Sequence, residues 1–245
     1  MSRLAALSTP QRRSRTSPSP SPSPAPAPAS PTRAAETTHH RMLKLVLAEV
    51  NNVINTWDDV VAHDGLKAGK GCIDEVTEMD NILLLPEGPE RPLVAPHLDA
   101  LTAYRTALEG VIAKLEKLLS KLAALVEQSE KVFFDACKVQ TWDFVLTDPL
   151  WLSWTLENFV DSLPPLVTAH SRHLAELTSL ANVLLSSSTT FEDARTTLER
   201  WRDLARGGER WEVVREWEEL VELETARPAP EEEEEMTRPK RRGKR

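Results

Sequence analysis

The sequence predicts an all-α protein, an elongated helical bundle built on one long, coiled-coil-like central helix and flanked by disordered N- and C-terminal tails. Three observations lead there. Over residues 101–132, Leu101, Leu108, Leu115, Leu122 and Ser129 recur at every seventh position, and Tyr104, Val111, Leu118, Leu125 and Val132 fall three residues after each. That alternation is the seam spacing of a supercoiled helix. A third row, Ile112, Leu119, Val126 and Phe133, makes the stripe too wide for one partner helix, so at least two neighbours are expected. Lys114, Lys117, Lys121, Glu127, Gln128 and Lys131 mark the solvated side. Finally, a Leu/Val/Ala-rich interior with 8 glycines in 245 residues favours helices over turn-rich sheet.

In order, residues 1–39 read as a disordered Ser/Pro-rich arm, 40–224 as the helical domain, and 225–245 as a disordered acidic, then basic, tail. Proline fixes φ and removes a donor, so the Ser-Pro-Ala-Pro tract at 17–31 forms neither helix nor ladder. The arm reads as a spacer or as a phosphorylated segment, through Thr9-Pro10, Ser17-Pro18, Ser19-Pro20, Ser21-Pro22, Ser23-Pro24 and Ser30-Pro31. Arg3, Arg12, Arg13, Arg15 and Arg33, with no acid before Glu36, also resemble an organelle transit peptide, against which the prolines argue. His39-His40 falls in sequence expected to be flexible.

From Arg41, the residues Leu43, Val46, Leu47, Val50, Val53, Ile54, Trp57, Val60 and Val61 give a helix of about six turns. His63-Asp64-Gly65 supplies its stop, Gly65 suiting the left-handed position past a helix end. A short helix from Cys72 to Ile82 follows, and then prolines 86, 89, 92 and 96 mark an irregular connection to the central helix. Residues 141–154 hold three of the chain's seven tryptophans, Trp142, Trp151 and Trp154. This stretch is either a buried connector capping the bundle or an exposed aromatic anchor for a partner. Leu156, Phe159, Val160 and Leu163 open the next pattern. Pro164-Pro165 either kinks that helix or starts a fresh one, carried on by Leu166, Val167, His170, Leu174, Leu177, Leu180, Ala181 and Leu184. Thr190, with Asp193 three residues on, caps a helix bearing Ala194, Leu198, Trp201 and Leu204, which Gly207-Gly208 ends. A last helix at 211–224 presents Val213, Val214, Trp217, Leu220, Val221 and Leu223. The tail carries an acidic run at 231–235 and a basic terminus, Lys240, Arg241, Arg242, Lys244 and Arg245, which fits a nuclear-import signal.

Composition and motifs set bounds on chemistry. A net charge of −8 argues against direct nucleic-acid binding by the folded part, since phosphate neutralisation needs surplus cations. No apolar run approaches the ~20 residues of a membrane span. Cys72 and Cys137 make neither a disulfide framework nor a four-thiolate zinc site, and read as two thiols in a reducing compartment. His170, His173 and Glu176 share one helix face, the nearest thing to a metal constellation, yet no further ligand is in view and packing histidines are the preferred reading. The segment 65–71 lacks the Gly-Lys-Ser/Thr order of a phosphate loop, and no nucleophile elbow or Cys-His pair is evident. The expectation is a non-enzyme with no cofactor and no metal.

Several landmarks, in order, resemble the cyclin-dependent-kinase-2-interacting protein family. They are Val53-Ile54 with Trp57, then Val60 and Gly65; the long central helix; Trp154 spaced to Phe159 at the head of a Leu-rich helix with Leu166, Val167, His170 and Leu174; and Leu198 before Trp201. Thr141-Trp142 fits the family's Thr-Trp better than Trp154 does, so 143–154 reads as an insertion. Arg202-Asp203-Leu204 replaces the polar-aromatic sequence expected after the downstream Trp. The resemblance implies a non-catalytic nuclear adaptor associated with cyclin-dependent kinase complexes, replication-stress checkpoint signalling, or an AAA ATPase assembly in pre-60S ribosome maturation. Partner contacts are expected from Trp57, Trp142, Trp151, Trp154, Phe159, Trp201 and Trp217, in a hetero-oligomer. The alternative is a coiled-coil structural subunit of a tethering or kinetochore-like complex.

Overall fold

A computed structural model describes residues 36–226, and every regular element among them is helical. Helix α1 spans Thr38–Asp59 and passes through a π-helical stretch, Val60–Gly65, into α2, Leu66–Leu84. The central helix α3 is Ala95–Val139; two short helices follow, α4 at Trp142–Leu146 and α5 at Leu156–Asp161. Pro164–Leu185 forms α6, Phe191–Arg206 α7 and Glu209–Thr225 α8. The arm up to residue 35 and the tail from 227 on, with Lys240, Arg241, Arg242, Lys244 and Arg245, lie outside the described residues.

Helix α3 has 45 residues, a rod of roughly 65 Å at 1.5 Å per residue. Its first seam row is buried throughout, Ser129 included, because the serine hydroxyl donates to the Val126 carbonyl at 2.7 Å and so needs no outside partner. The third row is half-buried, as the wide stripe predicted. Helices α1, α2 and α6 all pack along α3, with α4 and α5 against its later part.

The interior forms two clusters. One joins the first half of α1 (Leu43 to Ile54), the second half of α3 (Leu122 to Ala136), Val145, Leu150, α5, and Val214, Trp217 and Val221 of α8. The other joins Trp57, the π-helical stretch, Leu108, Val111 and Leu115 of α3, the later part of α6, and Trp201. Leu118 touches both.

Three boundaries differ from expectation. The first helix does not stop at Gly65, whose φ of −65° is ordinary right-handed helix. Glycine is there for closeness: a Cβ would lie 2.5 Å from Cζ2 of Trp201, and at Gly71 one would lie 2.5 Å from the Tyr104 ring. Helix α2 therefore runs well beyond 72–82 at its start. The domain also begins before residue 40. Thr37 caps α1, its hydroxyl accepting from the His40 N–H at 3.4 Å while its own N–H donates to His40 Nδ1 at 3.2 Å, so His39 and His40 are buried helical residues. Elsewhere Pro164 and Pro165 open a fresh helix rather than kink one, and Thr190 caps α7 by accepting from the Asp193 N–H at 3.2 Å. Gly208, at φ +98°, makes the turn into α8, a conformation that glycine adopts without strain.

Candidate functional site

The connector between α3 and α5 carries most of the aromatic residues singled out by sequence, and it is pinned from both ends of the described chain. From the start of α1, His40 Nε2 donates to the Leu150 carbonyl at 2.9 Å. The other ring nitrogen accepts from Thr37, which fixes the tautomer. From the end of α8, the buried Glu224 carboxylate accepts the backbone N–H groups of Ser153 at 2.7 Å and Trp154 at 2.9 Å, and the Ser153 hydroxyl as well. Burial pushes this carboxyl up, but these bonds outweigh it and hold Glu224 below its ordinary range.

Aromatic rings fill the space between. Trp151 meets His40 and Phe159 edge-on, at centroid distances of 5.4 and 5.1 Å, and Lys44 Nζ stands 5.2 Å above its ring. Trp154 meets Phe159 at 5.0 Å. With Val145 and Leu150 in the core, residues 143–154 form an integral wall of the bundle. The buried-connector reading holds for Trp151 and Trp154, both half-buried.

Along this stretch large apolar side chains stand exposed among charged ones such as Lys138, Asp143 and Asp148. Trp142 is 66% exposed and Phe134 59%, and Val139, Leu146 and Leu152 stand exposed within the same stretch of chain. An open notch of about 340 Å³ is lined by Phe133, Phe134, Val160 and Pro164 together with Glu130, Glu157 and Asp161. This mixed aromatic and acidic lining suits an apolar anchor flanked by a cation.

Four of the expected contact residues are placed elsewhere. Trp57, Phe159 and Trp201 are fully buried and Trp217 nearly so, which puts them out of reach of a partner docking on the folded chain. Sequence cannot separate these from surface anchors, because a tryptophan on an apolar stripe serves either end. Their polar atoms instead tie helices together. Trp57 Nε1 donates to His173 Nδ1 at 3.1 Å, Trp201 Nε1 to the Val61 carbonyl at 3.1 Å, and Trp217 Nε1 to Ser162 Oγ at 3.1 Å.

His170 and His173 are packing residues. His170 donates from Nδ1 to the Leu166 carbonyl at 2.7 Å and meets the Trp57 ring edge-on at 4.8 Å. Burial, aided by the nearby Arg210 charge, pushes His170 down to about 4 and His173 to about 3. Both rings are therefore neutral at pH 7. Glu176 does not converge with them; it is exposed and bonded to Arg200 at 3.5 Å. Arg210 is itself buried and forks onto Asp58, with Nη1 to Oδ1 at 2.7 Å, which ties α8 to α1.

Sequence reading missed His40, Arg210 and Glu224. A signal existed for the last two: the buried stripe of α8, Val214, Trp217 and Val221, continues at the same spacing to Arg210 before it and Glu224 after it. For His40 the signal was a residue three past Thr37, in the position where a capping box carries Glu or Gln.

The fold places the chain among all-helical bundle proteins. No protein-family model matches the chain, and no curated protein sequence matches it.

Proposed function

We propose that this chain is a non-catalytic nuclear adaptor that binds other proteins through helical faces in a hetero-oligomer. Its setting is genome maintenance, through cyclin-dependent kinase or replication-stress checkpoint complexes, or AAA ATPase-assisted pre-60S ribosome maturation. The observation that carries the adaptor reading is the exposure of the large apolar side chains Phe134, Trp142 and Leu152. The connector there is fully anchored from within, so these side chains are not needed to complete its core. Large aromatic side chains left in solvent are a resource for partner contacts, since aromatic residues are enriched where proteins meet. The cellular setting rests on the ordered resemblance and on the basic terminus. Among the described residues, no helix is long and apolar enough to cross a membrane.

The test is recovery of companions. Tagged full-length chain is purified from nuclei beside the double variant Phe134→Ala/Trp142→Ala, and the co-purifying proteins are identified. The reading expects kinase, checkpoint or AAA ATPase subunits with the parent and their loss with the variant, at unchanged thermal stability. A companion set made of coiled-coil tether subunits overturns it. So does recovery that is indifferent to the two substitutions.

A further inference from the structure

At the opposite end of α6, a notch of about 210 Å³ lies between α2, α3 and the turn leading into α7. Arg105 of α3 lines it. Its Nε is buried without a hydrogen-bond partner, and the guanidinium makes no ion pair among the described residues. A partly buried guanidinium is costly unless an anion meets it. Two candidates share the notch. Asp80 lines it but lies beyond ion-pair distance, and burial pushes the Cys72 thiol up, keeping it neutral.

The turn at 186–190, Ser-Ser-Ser-Thr-Thr, supplies the remaining wall. Four of its hydroxyls are engaged. Ser186 Oγ and Ser188 Oγ share a bond at 2.9 Å, Thr189 donates to the Val183 carbonyl at 2.6 Å, and Thr190 donates to Asp193 at 2.7 Å. Ser187 is exposed, its hydroxyl makes no hydrogen bond among the described residues, and it lines the same notch as Arg105.

We propose that Ser187 is a phosphorylation site whose phosphoryl group is received by Arg105. A protein kinase using ATP would form the Oγ–P bond and break the β–γ phosphoanhydride, releasing ADP and the hydroxyl proton. The product carries roughly −1.5 to −2 charges and three acceptor oxygens. Asp80, by comparison, offers one charge and makes no ion pair with Arg105. Pairing with the guanidinium latches the α6–α7 turn onto α3 through charge-assisted hydrogen bonds.

The experiment places phosphoserine at 187 of the full chain by genetic encoding and follows its ionisation by phosphorus NMR. Phosphoserine at 188, whose side chain does not line the notch, is the positional control. The expected result is a second phosphate pKa at 187 lowered by about one unit from the usual value near 6, with 188 unshifted, and restoration of the 187 value in Arg105→Gln. Equal titration at 187 and 188 overturns the proposal, and this comparison stands even where Arg105→Gln does not fold. A normal titration at 187, together with saturable inorganic phosphate binding by the unmodified chain, also overturns it and makes the notch a free-phosphate site. The final arm is phosphosite mapping on chain purified from dividing and stressed cells. Phosphate on Ser187 is expected in one of the two states, and full absence from both removes the modification.

Discussion

Replacing Gly65 by alanine sets two forces of known size against each other. Position 65 is in right-handed helical conformation, so alanine there gains up to about 1 kcal/mol of helix propensity. The new methyl, however, would sit 2.5 Å from Trp201 Cζ2 and 2.9 Å from Cε2 and Nε1. Trp201 is fully buried, and its indole N–H is held by the Val61 carbonyl at 3.1 Å, so the ring has no free direction in which to retreat. Overpacking of this kind costs about 1–3 kcal/mol, and shifting the indole off its acceptor removes about 1 kcal/mol more. The net is a loss of about 1–3 kcal/mol, or roughly 3–9 °C in Tm for a domain of this size. Gly110, in the middle of α3, is the control: a Cβ there meets nothing within 4 Å, so Gly110→Ala is expected to raise stability by about 0.5–1 kcal/mol. Thermal and urea unfolding, followed by circular dichroism, read both. If Gly65→Ala stabilises as Gly110→Ala does, the close Trp201 contact is wrong, and with it the account of why α1 runs on through the π-helical stretch.

Three further outcomes follow from the buried polar groups. His170 and His173 have folded pKa values depressed to about 4 and about 3, so the unfolded chain binds their protons first; stability is whole above the unfolded value near 6.5 and falls as pH drops from there toward the folded values. Unfolding free energies from urea titrations between pH 7 and 5 are expected to decline, approaching about 2.7 kcal/mol per pH unit while both rings differ by a full proton; a flat profile refutes their burial. Glu224→Gln is expected to cost about 1–2 kcal/mol at pH 7, where the carboxylate accepts three bonds. Because the folded pKa is lowered, the gap between variant and parent closes as pH falls below the unfolded value of about 4.3, and a gap independent of pH refutes the charge's role. Trp57→Phe strands His173 Nδ1 without its donor and is expected to cost about 1–3 kcal/mol by chemical denaturation; a neutral result refutes the Trp57–His173 bond.

The parts of the fold legible in the sequence were those written as periodicity. The seam of α3, the stripe of α6 and the cap at Thr190 are local patterns with local causes, whereas Pro164-Pro165 reads equally as a kink or a start. Gly65 was misread because its local signal, a flexible residue after His63-Asp64, is the same whether the chain turns or a distant indole comes close. Only the partner at position 201 distinguishes the two, and nothing within the surrounding window names it. The candidate site was half legible for the same reason. Aromatic density at 141–154 flagged the connector, but whether a given tryptophan faces inward depends on His40 and Glu224, whose bonds to it span 110 and 70 residues of chain. Trp142 stays outside because both pins act on residues 150–154 and leave the first turn of α4 uncovered.

The three interior tryptophans have a physical role that a partner-binding reading would hide. A bundle whose stripes are mostly leucine and valine is nearly as well packed after a slip of one heptad, since apolar contact carries little register information. Directional bonds from buried donors supply what the leucines lack. Trp57 sets α1 against α6, Trp201 sets α7 against the π-helical stretch, and Trp217 sets α8 against the end of α5. A slipped register keeps the seam filled and leaves three indole N–H groups buried without acceptors, at about 1–3 kcal/mol each. That penalty is comparable to the whole stability of an ordinary domain, so the indoles select one alignment out of several that the leucines alone would permit. The exposed side chains of the connector then inherit a fixed geometry from the interior.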